Sequence, residues 1–493
     1  VQVQAGADLV VAGGGDVQAY EFAVGPGGSS DILAGERIYA IVPSSVAGFA
    51  PGDPQERTDL AIGTAVHLEG VPGLPDGRYT LLPAHYALLP GAMAVRLGDA
   101  TLARPDTSVR QDGVAVAAGY LTGSRPGSAR DGAWLTAEVF TREQVLARSE
   151  FDLARGSTFF GADRNRPQDA GRLALVTQGT LELDGRLLGA AATGGRGAAV
   201  DIAAPDLVIA DAAATGIDPA ATRLDVEVIN ALGADSLLLG ATREQGDGAT
   251  RLDVRSDRVT LANRAATALR APEVMLAASD TVALQDNSAI DAQGAAGARQ
   301  HYTTSGNGAF VRAGSGSASF ARVGAPDRSQ GTLIASSSAV VQAARSITLN
   351  ATRDNAFAGE RRFVRGGEAV RGELAVGASR IHFGDAPAGA EGLVFGAAEL
   401  AGLSGFDELA LSSYSTFDTW GNVDLGGRDA QGRPTLTRLV LDGAGLAGAG
   451  PAGSEVRLAA REVTLANTGG VAYVPAATGG AAALTVQADV LTL

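Results

Sequence analysis

Short apolar triplets that alternate in, out, in recur along most of the chain, the period-2 signature of strands with one buried face. Leu252-Asp253-Val254 is followed by Val259-Thr260-Leu261, and Val274-Met275-Leu276 by Val282-Ala283-Leu284, so a pair of triplets recurs after 22 to 23 residues. Ser256-Asp257 and Ser279-Asp280 sit between the members of each pair, and short polar side chains of this kind turn the chain. A two- or three-strand unit cannot bury its apolar face alone, whereas stacked copies share one core. The pattern predicts an all-β fold: a right-handed parallel β-helix, or solenoid.

Taken in order, residues 1–59 read as the first part of that β-helix, with Phe49 to Asp59 as a loop leading out of it. Residues 60–170 read as an inserted β-rich module, and 171–493 as the main shaft. In the module, Thr141-Arg142-Glu143-Gln144 has the form of a capping box and predicts a short helix near 142–149. Two excursions leave the shaft: a projecting β-hairpin within 294–330, built from Ala309 to Arg312 and Ala318 to Val323, and a solvated loop within 352–373. Asn263, Asn350 and Asn467 each follow a triplet, where Asn accepts a left-handed corner or joins a stacked ladder.

Composition narrows the function. All 39 basic side chains are Arg, the formal charge is −15, and such a surface disfavours nucleic acid. There is no cysteine, and no apolar run long enough for a transmembrane helix. The chain begins at Val1 and stops on a strand-like segment, so it reads as a piece of something longer.

Four stretches resemble the C-terminal half of filamentous haemagglutinin-like exoproteins of two-partner secretion systems. They are Ala19 to Phe22 with Gly25 to Ser29; Gly77 to Ala92 (GRYTLLPAHYALLPGA); Val376 to Ile381; and Leu403 to Leu411 with Ser413-Tyr414-Ser415. The resemblance implies a secreted bacterial surface adhesin or extracellular filament, exported in a longer parent through an outer-membrane barrel partner. It also implies attachment, aggregation or biofilm formation, through a host or bacterial surface receptor or glycan and self-association. Passage of an extended chain suits a sequence without disulfides. The secretion module with its Asn-Pro motifs is not in this sequence.

Candidate chemistry is sparse. Gly13-Gly14-Gly15 lacks the Lys and Ser/Thr of a phosphate loop and reads as a turn. Asp201, Asp225 and Asp253 occupy outward middles of triplets and suit a calcium-binding row, but their irregular spacing favours separate solvated positions. His67, His85, His301 and His382 are scattered and show no metal-ligand spacing. No cofactor, metal or catalytic residue is expected, and the chain reads as non-enzymatic. Sugars stack on aromatics, which singles out Trp134, Tyr414 and Trp420 as surface-binding candidates against a packing role. The rival readings are a polysaccharide-acting β-helix lyase or hydrolase, which requires a groove with three or more converging carboxylates, and a structural filament spacer.

Overall fold

The computed structural model describes residues 2–493 apart from 27, 44–58, 62, 125–127, 162–167, 213, 247, 478 and 480–481. The protein is all-β: large sheets dominate, and the longest described helix is the seven-residue Ala397–Leu403. Two compact units are present. One comprises Val1–Val11, Gly171–Ala190 and Arg196–Leu493; the other comprises Ala12–Ala170 and Ala191–Gly195.

In the larger unit the chain visits three sheets in rotation. Glu273–Ala278 joins a long sheet, Thr281–Leu284 a second and Ala289–Ala292 a third, each paired in parallel with an earlier strand. The rotation repeats with Ser346–Ala351, Asp354–Phe357 and Glu360–Arg365. The 352–373 segment is therefore not the solvated loop that its charge suggests. Asp354–Phe357 and Glu360–Arg365 pair with strands of the second and third sheets, and only the hairpin to Glu368–Ala369 departs.

Register in the long sheet explains the triplets. Leu173, Val200, Leu237, Val274, Ala313, Ile347, Leu374, Leu409, Leu439 and Val463 form one continuous inward row. Two residues along runs a second, from Leu175 through Ile202, Leu239, Leu276, Val311, Leu349, Val376 and Leu411 to Leu441 and Leu465. From Val200 and Ile202 onward these rows are almost wholly buried. At about 25 cal/mol per Å² of apolar surface removed from water, such rows supply the main folding drive.

One strand runs backwards. Ala309–Gly314 pairs antiparallel with both long-sheet neighbours. An in, out, in pattern reads the same in either direction, so reversal still places Val311 and Ala313 inward and Arg312 outward. The expected hairpin is thereby corrected: Ala309–Gly314 lies in the long sheet, whereas Ala318–Val323 pairs in parallel with Gln300–Ser305. These last two strands, with Ala241–Gln245 and Thr250–Val254, form a four-stranded sheet. It covers part of the long sheet's outward face, burying Leu238, Met275, Ala277 and Phe310 against Leu252 and Tyr302. Leu252–Val254 is consequently not the counterpart of Val274–Leu276; Ser236–Leu239 is. Val259–Leu261 and Val282–Leu284 do stack directly.

The smaller unit is a barrel. Gly77–Thr80, Thr64–Glu69, Ala115–Gly123, Trp134–Thr141, Met93–Thr101, Ile38–Ile41 and Leu82–Pro83 pair antiparallel in that order. Gly77–Thr80 runs through Leu81 into Leu82–Pro83, so both ends of the sheet are one bent strand and the sheet closes. Its interior holds Tyr39, Ile41, Val66, Leu68, Val95, Leu97, Leu135 and Val139. Ile38–Ile41 belongs to this sheet, and Gln18–Ala23 pairs with Glu150–Arg155, so these two strands fall in this unit and not with the repeat, to which 1–59 were expected to belong. The expected loop at 49–59 lies, apart from Asp59, outside the described residues. Thr141 caps the helix Arg142–Leu146, and the Gln144 side chain returns the bond to the Thr141 amide.

Candidate functional site

The covering sheet ends at Ala318–Val323, while the long sheet continues beneath and past it. Outward positions therefore change character along one row: Met275, Arg312 and Thr348 are buried, then Ala375, Ala410, Val440 and Thr464 are half-buried. A groove opens at that step. A cavity of about 140 Å³ is lined by Phe320 of the covering sheet's edge strand, by Ala375, Gly377, Ala410 and Ser412 as floor, and by Arg299, Glu373, Glu408, Arg438 and Asp442. A smaller recess continues past Tyr414 and Asp442 toward Asn467 and Val471. Gly377 keeps the floor low, because a Cβ there would collide with the Asn350 amide.

The charged wall comes from a ladder one residue before each triplet. Ser346, Glu373, Glu408, Arg438 and Glu462 are direct neighbours in register. Adjacent carboxylates repel, and Arg299 relieves Glu373 and Glu408 by bonding both, at 3.4 Å and 2.8 Å. Arg345 adds Glu373 at 2.8 Å and Asp407 at 3.1 Å. Two buried atoms are left over: Glu373 Oε2 and Arg438 Nε have no hydrogen-bond partner. A buried, unpaired polar atom costs about 1–3 kcal/mol unless something arrives to meet it. Phe320 stacks on Phe310 at 4.4 Å, and the Arg322 guanidinium lies over its ring, 5.5 Å from the centre.

Of the three aromatic candidates, Tyr414 borders this groove, but its hydroxyl is committed. It donates to Asn350 Oδ1 at 2.9 Å and accepts from Arg322 Nε at 3.1 Å, and burial, the largest cause, raises its pKa. Trp420 lies elsewhere, in a strand of another sheet, donating from Nε1 to His382 Nδ1 at 3.1 Å. His382, 1% exposed, has Nε2 3.0 Å from the Glu391 carbonyl, so the ring serves as a bridge in the packing. Phe417, between them in sequence, is core, stacked on Phe383 at 5.9 Å.

Trp134 sits on the barrel unit's outer face, where Arg78, His67, Tyr120, Trp134 and Thr101 form one cross-strand row. His67 stacks on Tyr120 at 4.7 Å, and the Arg130 guanidinium lies 4.1 Å from both the Tyr120 and Trp134 ring centres. The arginine lies over the rings, so their stacking face is occupied. The same unit has a pocket of about 280 Å³ lined by Tyr20, Glu21, His85, Asp152 and Phe159; His85, from the GRYTLLPAHYALLPGA block, stacks on Tyr20 at 4.9 Å.

The three aspartates are not a row. Asp201 is in the long sheet, Asp225 ends a strand of the second sheet and Asp253 is in the cover. Nor is Asp201 solvated: it is fully buried and bonds Arg243 Nε at 2.7 Å, because the cover closes over it. Asp225 caps the helix Val226–Ala231, and Asp253 pairs with Arg255. Among the described residues no group of three metal-ligating side chains converges. Asn263 and Asn467 have no left-handed backbone; both brace their loops by side-chain bonds to backbone.

Sequence reasoning missed the buried ionic cluster beneath the cover. Glu273, 5% exposed, accepts from Ser236, Tyr302 and Arg312, and Ser236 also accepts from Arg243, which holds Asp201. Burial opposes ionisation of Glu273, but Arg312, the Ser236 hydroxyl, Arg243 and Tyr302 outweigh it and hold the carboxyl down at about 2. A signal existed: a charged residue precedes the triplet at 273, 373, 408, 438 and 462, and Leu238 and Met275 put apolar groups at outward positions. No protein-family model, curated protein or solved structure matches the chain.

Proposed function

We propose that the larger unit is a right-handed parallel β-helix and that the chain is a non-enzymatic segment of a secreted bacterial surface adhesin or extracellular filament. On this reading the stacked unit is a shaft, and its outward grooves and the barrel unit are what it displays. The observation that carries it is the long sheet, whose inward rows pass in register from Leu173 to Val463 and grow by repetition along one axis. The four haemagglutinin-like stretches supply the prior for export through an outer-membrane partner and for attachment. The test is display of the parent with and without these residues. Loss of attachment or aggregation on deletion supports the proposal, and full retention in a shortened filament points to a spacer.

The second reading, a polysaccharide-acting enzyme, draws on the groove, whose lining includes Glu373, Glu408 and, four residues along the strands, Asp442. Their bonding favours recognition over catalysis. Glu408 grips Arg299 through both oxygens, Glu373 holds Arg299 and Arg345, and Asp442 accepts from the Thr468 amide at 2.8 Å. Release of reducing ends or unsaturated sugars from a polysaccharide panel would decide for the enzyme.

A further inference from the structure

The geometry points to strand addition: Ala318–Val323 takes one extended peptide segment of another polypeptide as a fifth strand of the cover, with small, uncharged side chains facing the floor. The outer edge of this strand is open. It is the last strand of the four-stranded sheet, its ladder runs to Gln300–Ser305 on one side, and among the described residues nothing bonds its backbone on the other. A row of unpaired N–H and C=O groups is a template for another strand. The six residues include no proline, and their one charge, Arg322, turns under the sheet to bond the Gly306 and Gly308 carbonyls, so nothing guards the edge. The opposite edge of the cover is closed. At the centre of Ala241–Gln245 the Arg243 amide donates to Asp201 Oδ2 at 3.0 Å, and the Arg243 carbonyl accepts from Arg172 Nη1.

The floor fixes the kind of partner. The long sheet runs on beneath the vacant place, where Ala375, Ala410 and Val440 form a half-buried, apolar outward row. Packed sheets stand about 10 Å apart, which admits one layer of side chains and no second folded body. The same edge of a second copy cannot fill the place, because its own long sheet already lies under it, with Phe310 stacked on Phe320. A single extended segment can. Its alternate residues pack on the floor as Ala318 and Phe320 pack on theirs, and the others face solvent. Glu373, Glu408 and Asp442 outnumber Arg299 and Arg438 in the lining, so acidic residues on the floor side are disfavoured.

The inference deepens the attachment reading and rests on it for its biological role, while peptide binding by the purified chain and adhesion of cells are separate readouts that can fail separately. The experiment is fluorescence anisotropy and hydrogen exchange on the full 493-residue chain with labelled octapeptides. Every second residue of each peptide is Thr, and the others are all Ala, all Val or all Glu. The Ala or the Val peptide is expected to bind and to slow exchange at 318–323, and the Glu peptide is not. Methylating the amide nitrogens of alternate residues should abolish binding for one of the two alternate sets and spare it for the other, since only one set faces the edge. Ala410→Trp, which fills the floor, should weaken binding about tenfold or more. Arg457→Gln, in another sheet, should change nothing, and far-UV circular dichroism verifies each fold. The proposal is overturned if neither the Ala nor the Val peptide binds, if both methylated forms bind like the parent, or if binding survives Ala410→Trp. It is also overturned if the chain alone dimerises through this edge, seen in sedimentation as dimers that Ala410→Trp removes.

Discussion

Replacing Arg312 with Met isolates what the buried ionic cluster contributes. Arg312 is 1% exposed, donates from Nε to Glu273 Oε1 at 2.7 Å and from Nη1 to Ser346 Oγ at 2.6 Å, and thereby ties three neighbouring long-sheet strands. Methionine keeps most of the stem but leaves Glu273 buried beside two hydroxyls, with its nearest cation gone. Removing one partner of a buried pair costs about 3–5 kcal/mol, whereas replacing both by apolar groups is often neutral. Arg312→Met and Glu273→Leu should each lose about that much, and the double variant far less than their sum. Urea titrations followed by circular dichroism give the totals. Hydrogen exchange over 273–284 and 300–323 locates the opening, which should involve the cover and the reversed strand first. A single-variant cost below about 1 kcal/mol, or simple additivity, would refute the claim that these charges act as one unit.

Three further outcomes follow from named contacts. Because the folded pKa of Glu273, about 2, lies below its ordinary 4.5, its contribution is present above pH 4.5 and lost as pH falls toward 2. It amounts to about 3 kcal/mol, read as the acid-side loss that the wild type shows and the Glu273→Leu/Arg312→Met variant lacks. Gly240 has φ +93° and a Cβ there would strike the Ala277 carbonyl, so Gly240→Ala should cost at least about 1–3 kcal/mol in urea unfolding. Asn263, 1% exposed, donates to the Thr267 and Ala289 carbonyls and accepts from the Ala289 amide, so Asn263→Ala should cost about 1–3 kcal/mol and raise exchange at Ala289.

The triplets made the inward rows readable, since Val274-Met275-Leu276 and Leu409-Ala410-Leu411 can bury one face only as strands. Period 2 is blind to direction, which hid the reversal of Ala309–Gly314. It is also blind to layer: Leu252-Asp253-Val254 alternates as cleanly as the rest yet belongs to the cover. The groove was illegible because its members, from Arg299 to Arg438, are brought together by register across strands far apart in sequence. Tyr414 and Trp420 stood close in sequence and part in space, since Tyr414 sits at the corner just past Glu408–Ser413 and Trp420 ends a strand of another sheet.

The central claim is that strands of the long sheet add one after another along a single axis. Ala174, Ala375, Ala410, Val440 and Thr464 lie in one register row, so spin labels can be introduced in pairs into this cysteine-free chain, with Ala174 as common partner. At about 4.8 Å per strand, backbone separations should rise in even steps from about 29 Å at Ala375 through about 34 and 38 Å to about 43 Å at Thr464. Distances from pulsed electron resonance that level off or shrink along this series would mean that the sheet curls back on itself, and would contradict the stacked architecture.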